Sequence, residues 1–169
     1  MKRLVLALAV AGLVPGALLA EDVLVAFDGG IGVDPASGLT STGGAALNVV
    51  RGVSPGGFPW RISRLSATVQ AGGRIEVDGR GLLLTGGDGI GTPGGQHVFA
   101  TLFCGPAATA TAHSSSATGV ALEANGNFHV DDLLTPPPPA TCANPVLLIL
   151  SAANGHWFAA GIPKNDADE

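Results

Sequence analysis

Short β-strand patterns recur along this chain at close intervals, separated by glycine-rich and Asn-Gly segments that are typical of tight turns. No helical period is found after the first twenty residues. Several short strands joined by such turns are the pattern of an antiparallel sandwich or barrel. We therefore predict an all-β fold, a single antiparallel β-sandwich of Ig-like or jelly-roll-like type. Its predicted strands cover residues 22–27, 45–51, 60–69, 74–85, 97–104, 119–123, 127–133, 146–150 and 156–162.

Three turns predict β-hairpins, namely Ala71-Gly72-Gly73, Asn125-Gly126 and Asn154-Gly155, each of which lies between two predicted strands. Asn-Gly tolerates the positive φ that a two-residue hairpin turn requires. Within residues 60–69 the apolar positions change from one face to the other at Arg64. A β-bulge near Arg64 would reconcile the two halves of that strand.

The N-terminus has the features of a secretory signal peptide. Lys2 and Arg3 are followed by an apolar run over residues 4–14, which Pro15-Gly16 interrupts. We predict a signal peptide helix over residues 1–20, with cleavage between Ala20 and Glu21. The alternative is an uncleaved anchor, but a span needs roughly 18 or more apolar residues. The expected location is secreted or periplasmic, without stable membrane insertion after cleavage.

This leader divides the chain into a signal peptide (1–20), a β-sandwich domain (21–163) and a polar tail (164–169). Cys104 and Cys142 are the only cysteines. An even pair in an exported chain predicts one disulfide, because the compartment is oxidising. Closing a loop of about 38 residues restricts the unfolded state by roughly 4 kcal/mol on the chain-entropy model. The alternative is two buried free thiols.

Cations are scarce after the leader. They are Arg51, Arg61, Arg64, Arg74, Arg80 and Lys164, and the net charge of the whole chain is −5. Nucleic-acid binding depends on neutralising many phosphates, so nucleic acid is excluded as an expected partner. The frequent aliphatic and β-branched residues indicate a compact domain and not a disordered one.

The histidines are the candidates for a metal site. His97, His113, His129 and His156 could converge as imidazole ligands with Asp131 or Asp132, as in exported β-sandwiches that hold copper or zinc. No two of them lie at ligand spacing in the sequence. A solvent-facing polar pair explains His129 and Asp131 equally well, and no cofactor is expected otherwise.

Motifs for other chemistries lack their structural context. Residues 89–94 match GxGxxG, but a strand follows them where a helix is needed. Residues 29–34 match the start of a calcium-binding nonapeptide repeat. The match occurs once, and a single copy cannot build the stack of repeats that holds the ions. There is no GxSxG elbow, and the serines beside His113 lie in a predicted loop. Tyrosine is absent, and core packing is the favoured interpretation of Trp60 and Trp157.

Two segments near the C-terminus have distinctive compositions. The apolar run 146–150 predicts either a strand covered on both faces or a surface through which the protein could self-associate. Covered strands are the commoner case. Residues 136–139 are four prolines, which predict an extended polyproline segment and not a domain boundary.

The order of strand pairs, the Val98-to-Ala107 segment ending Cys104-Gly105-Pro106-Ala107, the Asn125-Gly126 turn and a closing hairpin resemble CHRD-type domains over residues 62–162. These are exported β-sandwich modules. The chain also resembles uncharacterised exported β-sandwich proteins of bacteria. Where CHRD modules carry two histidines before Gly-Pro, this chain has Leu102 and Cys104, so the resemblance does not extend to ion ligands.

These observations favour an exported binding or structural module over an enzyme. The alternative is a periplasmic or secreted metal-binding protein or enzyme that uses a histidine cluster.

Overall fold

The structure is a computed structural model that describes residues 22–164, all of which form strands, turns and loops without a helix. The all-β prediction is confirmed. The strands are β1 (Val23–Gly32), β2 (Ala36–Leu39), β3 (Ala45–Leu47), β4 (Trp60–Arg61), β5 (Arg64–Gln70), β6 (Arg74–Arg80), β7 (Leu83–Leu84), β8 (His97–Cys104), β9 (Thr111–Ser114), β10 (Val120–Ala121), β11 (Phe128–Leu133), β12 (Val146–Ser151) and β13 (Trp157–Pro163). The predicted leader and its Ala20/Glu21 cleavage site lie outside the described residues.

Nine strands form one antiparallel sheet in the order β10-β8-β12-β13-β1-β5-β6-β11, with β9 paired to β8. Ser114 at the end of β9 and Thr135 after β11 exchange backbone hydrogen bonds of 3.1 and 2.8 Å. These bonds bring the two ends of the sheet together, so the sheet nearly closes into a barrel. The predicted division into the two sheets of a sandwich is not confirmed. Two small sheets, β2-β3 and β4-β7, lie outside it.

Alternation along β5 and β6 fills the interior of the sheet. Leu65, Ala67 and Val69 are buried on β5, and their neighbours along the strand are exposed or half-buried. Val69 pairs with Ile75 across the turn, where the Gly73 amide donates to the Gln70 carbonyl at 2.8 Å. The predicted hairpin at residues 71–73 is therefore confirmed.

The apolar run of β12 is covered on both faces. Residues Leu147 to Leu150 are all buried, and β12 lies between β8 and β13. The Asn154-Gly155 hairpin joins β12 to β13 as predicted. Self-association would therefore need residues other than this run.

Three local predictions were wrong. Ile62 and Ser63 separate β4 from β5, so the change of face at Arg64 reflects a strand break and not a bulge. His113 and Ser114 lie in strand β9 where a loop was predicted, whereas Ser115 and Ser116 follow the strand as irregular structure. Asn125-Gly126 does form a turn, but β10 pairs with β8 and β11 pairs with β6, so the two strands do not form a hairpin with each other.

The predicted disulfide is confirmed. Cys104 and Cys142 are bonded, with their Cα atoms 4.8 Å apart. Beside it the Gly105 amide donates to the Ala143 carbonyl at 2.6 Å. The bond therefore ties the end of β8 to the segment that leads into β12. Within residues 22–164 there is no helix long and apolar enough to cross a bilayer.

Candidate functional site

The four histidines lie on different elements and do not converge. His97 begins β8 and is exposed, His113 is buried in β9, His129 is exposed on β11, and His156 is half-buried before β13. In the described part of the chain, the one group of three metal-ligating side chains contains a single histidine. The predicted four-histidine cluster is therefore not formed.

His113 is a structural residue of the interior. Its Nδ1–H donates to the Pro136 carbonyl at 2.9 Å, and its Nε2 lies 2.9 Å from the Thr111 hydroxyl, which donates to it in the neutral tautomer. The side chain is 4% exposed, so both ring nitrogens are satisfied where water is excluded. This histidine connects β9 to the proline segment and is not free to bind a ligand.

His129 meets two carboxylates on the outer face of the sheet. It pairs across the strands with Asp78, and its Nδ1 lies 3.1 Å from an Asp78 oxygen. Glu76 lies on the same face of β6, and one ligand atom from each of the three residues lies within 4.8 Å of the others. Asp131, the predicted companion of His129, instead pairs with Arg74 at 2.6 Å.

A shallow groove is built around two stacked aromatic rings. We call it the aromatic groove, and define it by Gly56, Phe58, Trp60, Gln96, Asn154 and Phe158, together with Gly57, Leu84 and Gly94. Its volume is about 320 Å³. This lies at the small end of the range found for ligand sites.

Backbone hydrogen bonds position the two rings. The Val33 amide donates to the Phe158 carbonyl at 2.9 Å, and the Trp60 amide donates to the Val33 carbonyl at 2.8 Å. The backbones of Trp60 and Phe158 therefore both hydrogen-bond to Val33, the residue that follows β1. Their rings stack with centroids 4.2 Å apart.

Glycines lie against the two rings. A Cβ at Gly56 would lie 2.9 Å from two carbons of the Phe158 ring and 3.4 Å from Trp60 Nε1. A Cβ at Gly94 would lie 3.9 Å from the opposite end of the same indole. The indole of Trp60 thus extends along the floor of the groove from Gly56 to Gly94.

The two tryptophans differ in how their N–H groups are satisfied. Trp157 is 3% exposed, and its Nε1 donates to the Asn48 carbonyl at 2.9 Å. Trp60 is 6% exposed, yet its Nε1 forms no hydrogen bond to another residue of 22–164. In the same range the fully buried side-chain atoms without a partner are Arg51 Nη1 and Gln70 Oε1. Trp60 Nε1 is not among them, so this atom keeps some contact with solvent.

Amide side chains flank the groove. Asn154 accepts the His156 amide through its Oδ1 at 3.1 Å, which leaves its NH₂ group directed to solvent. Gln96 accepts the Ser151 hydroxyl at 3.2 Å. Phe58 is 55% exposed. No charged side chain lines this groove in the described chain.

Sequence reasoning missed this groove because its lining comes from four separate segments. Burial of Trp60 was predicted correctly, but the missing partner of its N–H depends on tertiary contacts. The segment Gly56-Gly57-Phe58-Pro59-Trp60 offers the available signal, since glycines beside exposed aromatic residues allow a ligand to approach the backbone.

A larger cavity of about 510 Å³ lies beside the start of β1 and includes Val23 and Lys164 in its lining. Its lining includes Lys164, the last residue that the structure describes. It therefore has no assigned role.

The comparisons add no family to these observations: the chain matches no protein-family model, and neither curated proteins nor solved structures give a match.

Proposed function

We propose that the protein is an exported binding module and that the aromatic groove is its ligand site. The observation that supports this is the Trp60 N–H: Trp60 lines the groove, is 6% exposed, and makes no hydrogen bond through its Nε1 to any residue of 22–164. A ligand that covers this N–H without accepting from it would leave the donor unsatisfied at a cost of about 1–3 kcal/mol, so the site favours a ligand that accepts a hydrogen bond.

Export is part of this proposal. The basic and apolar N-terminal residues have the pattern of a signal peptide, and the Cys104–Cys142 disulfide is compatible with an oxidising, extracytoplasmic location. We propose a secreted or periplasmic protein. A flattened, sandwich-like shape of the barrel and the resemblance to CHRD-type modules remain part of the same proposal.

The two tryptophans provide a test that does not require the natural ligand. In a ¹⁵N-labelled sample each indole N–H gives its own resonance, and the chain has two tryptophans. We expect neutral fragments from a small-molecule library to shift the Trp60 resonance and to leave that of Trp157 in place. A library that shifts neither resonance would overturn the groove as a binding site.

A second candidate function is metal binding on the outer face of the sheet. The supporting observation is the proximity of Glu76, Asp78 and His129. Imidazole and carboxylate together suit zinc, copper or manganese. A site that binds with useful affinity must raise the melting temperature.

The test is thermal melting with and without Zn²⁺, Cu²⁺ and Mn²⁺. We expect the rise in melting temperature to be lost in His129→Ala and kept in His97→Ala, which removes an exposed histidine on β8. No rise with any of these ions would remove the metal candidate.

A further inference from the structure

We propose that the aromatic groove binds a neutral carbohydrate. This inference rests on the proposed function, because it names the ligand class for the same groove. Three properties of the lining lead to it: the absence of charge, the distribution of polar hydrogens, and the exposed ring at the rim.

Among residues 22–164, no ionisable side chain lines the aromatic groove. Gln96 and Asn154 contribute amides, and the other lining residues are apolar or glycine. An anionic or cationic ligand would lose hydration here without gaining a counter-charge. The groove therefore favours an uncharged ligand.

The free donors favour a ligand rich in hydroxyl groups. Trp60 Nε1–H and the Asn154 NH₂ both lack an acceptor among the described residues. A purely apolar ligand would cover the Trp60 N–H and leave it unsatisfied, at a cost that opposes binding. A sugar hydroxyl can accept from these groups and donate to a carbonyl oxygen at the same time.

The aromatic rim supplies the apolar half of the interaction. Phe58 is 55% exposed beside the groove, and the apolar C–H face of a pyranose can pack on such a ring. Gly57 has no atom within 4 Å of an added Cβ, so the rim is open on that side. A flat sugar ring can therefore approach both the phenyl ring and the backbone.

An extended, proline-rich peptide is the main competing ligand, since such peptides also dock in aromatic grooves. The Asn154 NH₂ is a donor in addition to the Trp60 N–H. This second donor favours the carbohydrate, because a neutral sugar presents hydroxyl acceptors in several directions. The experiment includes the peptide as a separate arm.

The experiment is a titration of the purified protein, followed by tryptophan fluorescence and the two indole ¹⁵N–H resonances. The probes are cellobiose, maltose, xylobiose and N,N′-diacetylchitobiose, with digalacturonate as a charged control and a decaproline peptide as the peptide control. We expect at least one neutral disaccharide to shift the Trp60 resonance, and digalacturonate to leave it unchanged.

Paired variants locate the site. Trp60→Phe keeps an aromatic ring but removes the N–H. Because this variant also loses the reporter indole, affinities of the variants are measured by calorimetric titration, and we expect Trp60→Phe to lower affinity at least tenfold and Trp157→Phe to keep it within about twofold. Gly56→Ala places a methyl group against Phe158 and should also weaken binding, whereas Gly38→Ala, which meets no atom within 4 Å, should not. Near-ultraviolet circular dichroism checks that each variant is folded.

Two results would overturn the carbohydrate and leave the binding module intact: decaproline alone shifts the Trp60 resonance, or library fragments shift it while no disaccharide does. If Trp60→Phe and Gly56→Ala both bind a disaccharide with unchanged affinity, the sugar does not use this groove. If neither fragments nor disaccharides shift the resonance, both the groove and the carbohydrate are rejected.

Discussion

The indole of Trp60 and the phenyl ring of Phe158 stack with their centroids 4.2 Å apart and their planes inclined by 19°. Such a pair contributes about 0.5–1.5 kcal/mol beyond the area it buries. One ring comes from β4 and the other from β13, two elements far apart in the sequence. The stack therefore fixes the groove floor to the main sheet.

The two indole N–H groups differ in hydrogen bonding, and this difference leads to a stability prediction. Trp157→Phe removes a hydrogen bond and leaves the Asn48 carbonyl without its donor, whereas Trp60→Phe removes a donor that has no acceptor. Because the loss of ring volume is the same, we expect Trp157→Phe to cost about 1 kcal/mol more. Urea denaturation of both variants measures this difference. Equal losses would contradict the hydrogen-bond assignment.

The disulfide is expected to supply a large part of the stability. Replacing Cys104 and Cys142 by alanine frees a loop of 38 residues. We expect the free energy of unfolding to fall by about 4 kcal/mol. Urea denaturation of the double variant tests this. The unreduced parent treated with an alkylating agent is the control, since no free thiol is present in the described chain. A loss below about 1 kcal/mol would show that the bond contributes little.

A close approach across the sheet makes Gly79 sensitive to substitution. Gly79 on β6 pairs with Phe128 on β11, and a Cβ at Gly79 would overlap the phenyl ring. We expect Gly79→Ala to cost about 1–3 kcal/mol, because the ring must move within a packed interior. Gly38→Ala serves as the control. Equal melting temperatures for Gly79→Ala and Gly38→Ala would show that Phe128 moves freely.

His113 is expected to stabilise the contact between β9 and the proline segment. His113→Ala removes the donor to the Pro136 carbonyl and leaves a small cavity. We expect a loss of about 2–4 kcal/mol from the unsatisfied groups and the cavity together. His97→Ala, at an exposed position, should change stability by less than about 0.5 kcal/mol. Chemical denaturation measures the loss of stability in both variants. An equally small loss in His113→Ala and His97→Ala would contradict the structural role of His113.

The all-β class and the disulfide were predictable from the sequence because each depends on local or compositional signals. Alternation along β5 and β6 and the turn at residues 71–73 identify a hairpin without tertiary information. By contrast, the near-closed order of the sheet depends on which strand edges meet. The Ser114–Thr135 bridge joins two segments whose pairing no turn residue specifies.

The candidate sites were less predictable than the fold. His129 was identified as a candidate ligand, but its partner was expected to be Asp131, two residues away on the same strand face. The structure pairs it with Asp78 because register between strands places them opposite each other. Asp131 is held by Arg74 instead. The register between strands could not be predicted from the sequence. The aromatic groove was missed for a similar reason, because its lining comes from segments that only the tertiary structure brings together.

Near closure of the main sheet also affects how copies of this protein meet one another. Unpaired backbone along a strand edge is a template for joining to another chain, and a closed sheet offers little of it. In the described chain the β2-β3 sheet is the more exposed of the two small sheets outside this closure, with Leu39 and Leu47 both open to solvent. At high concentration, fibrous aggregation of the folded protein would therefore start at this hairpin and not at the barrel wall.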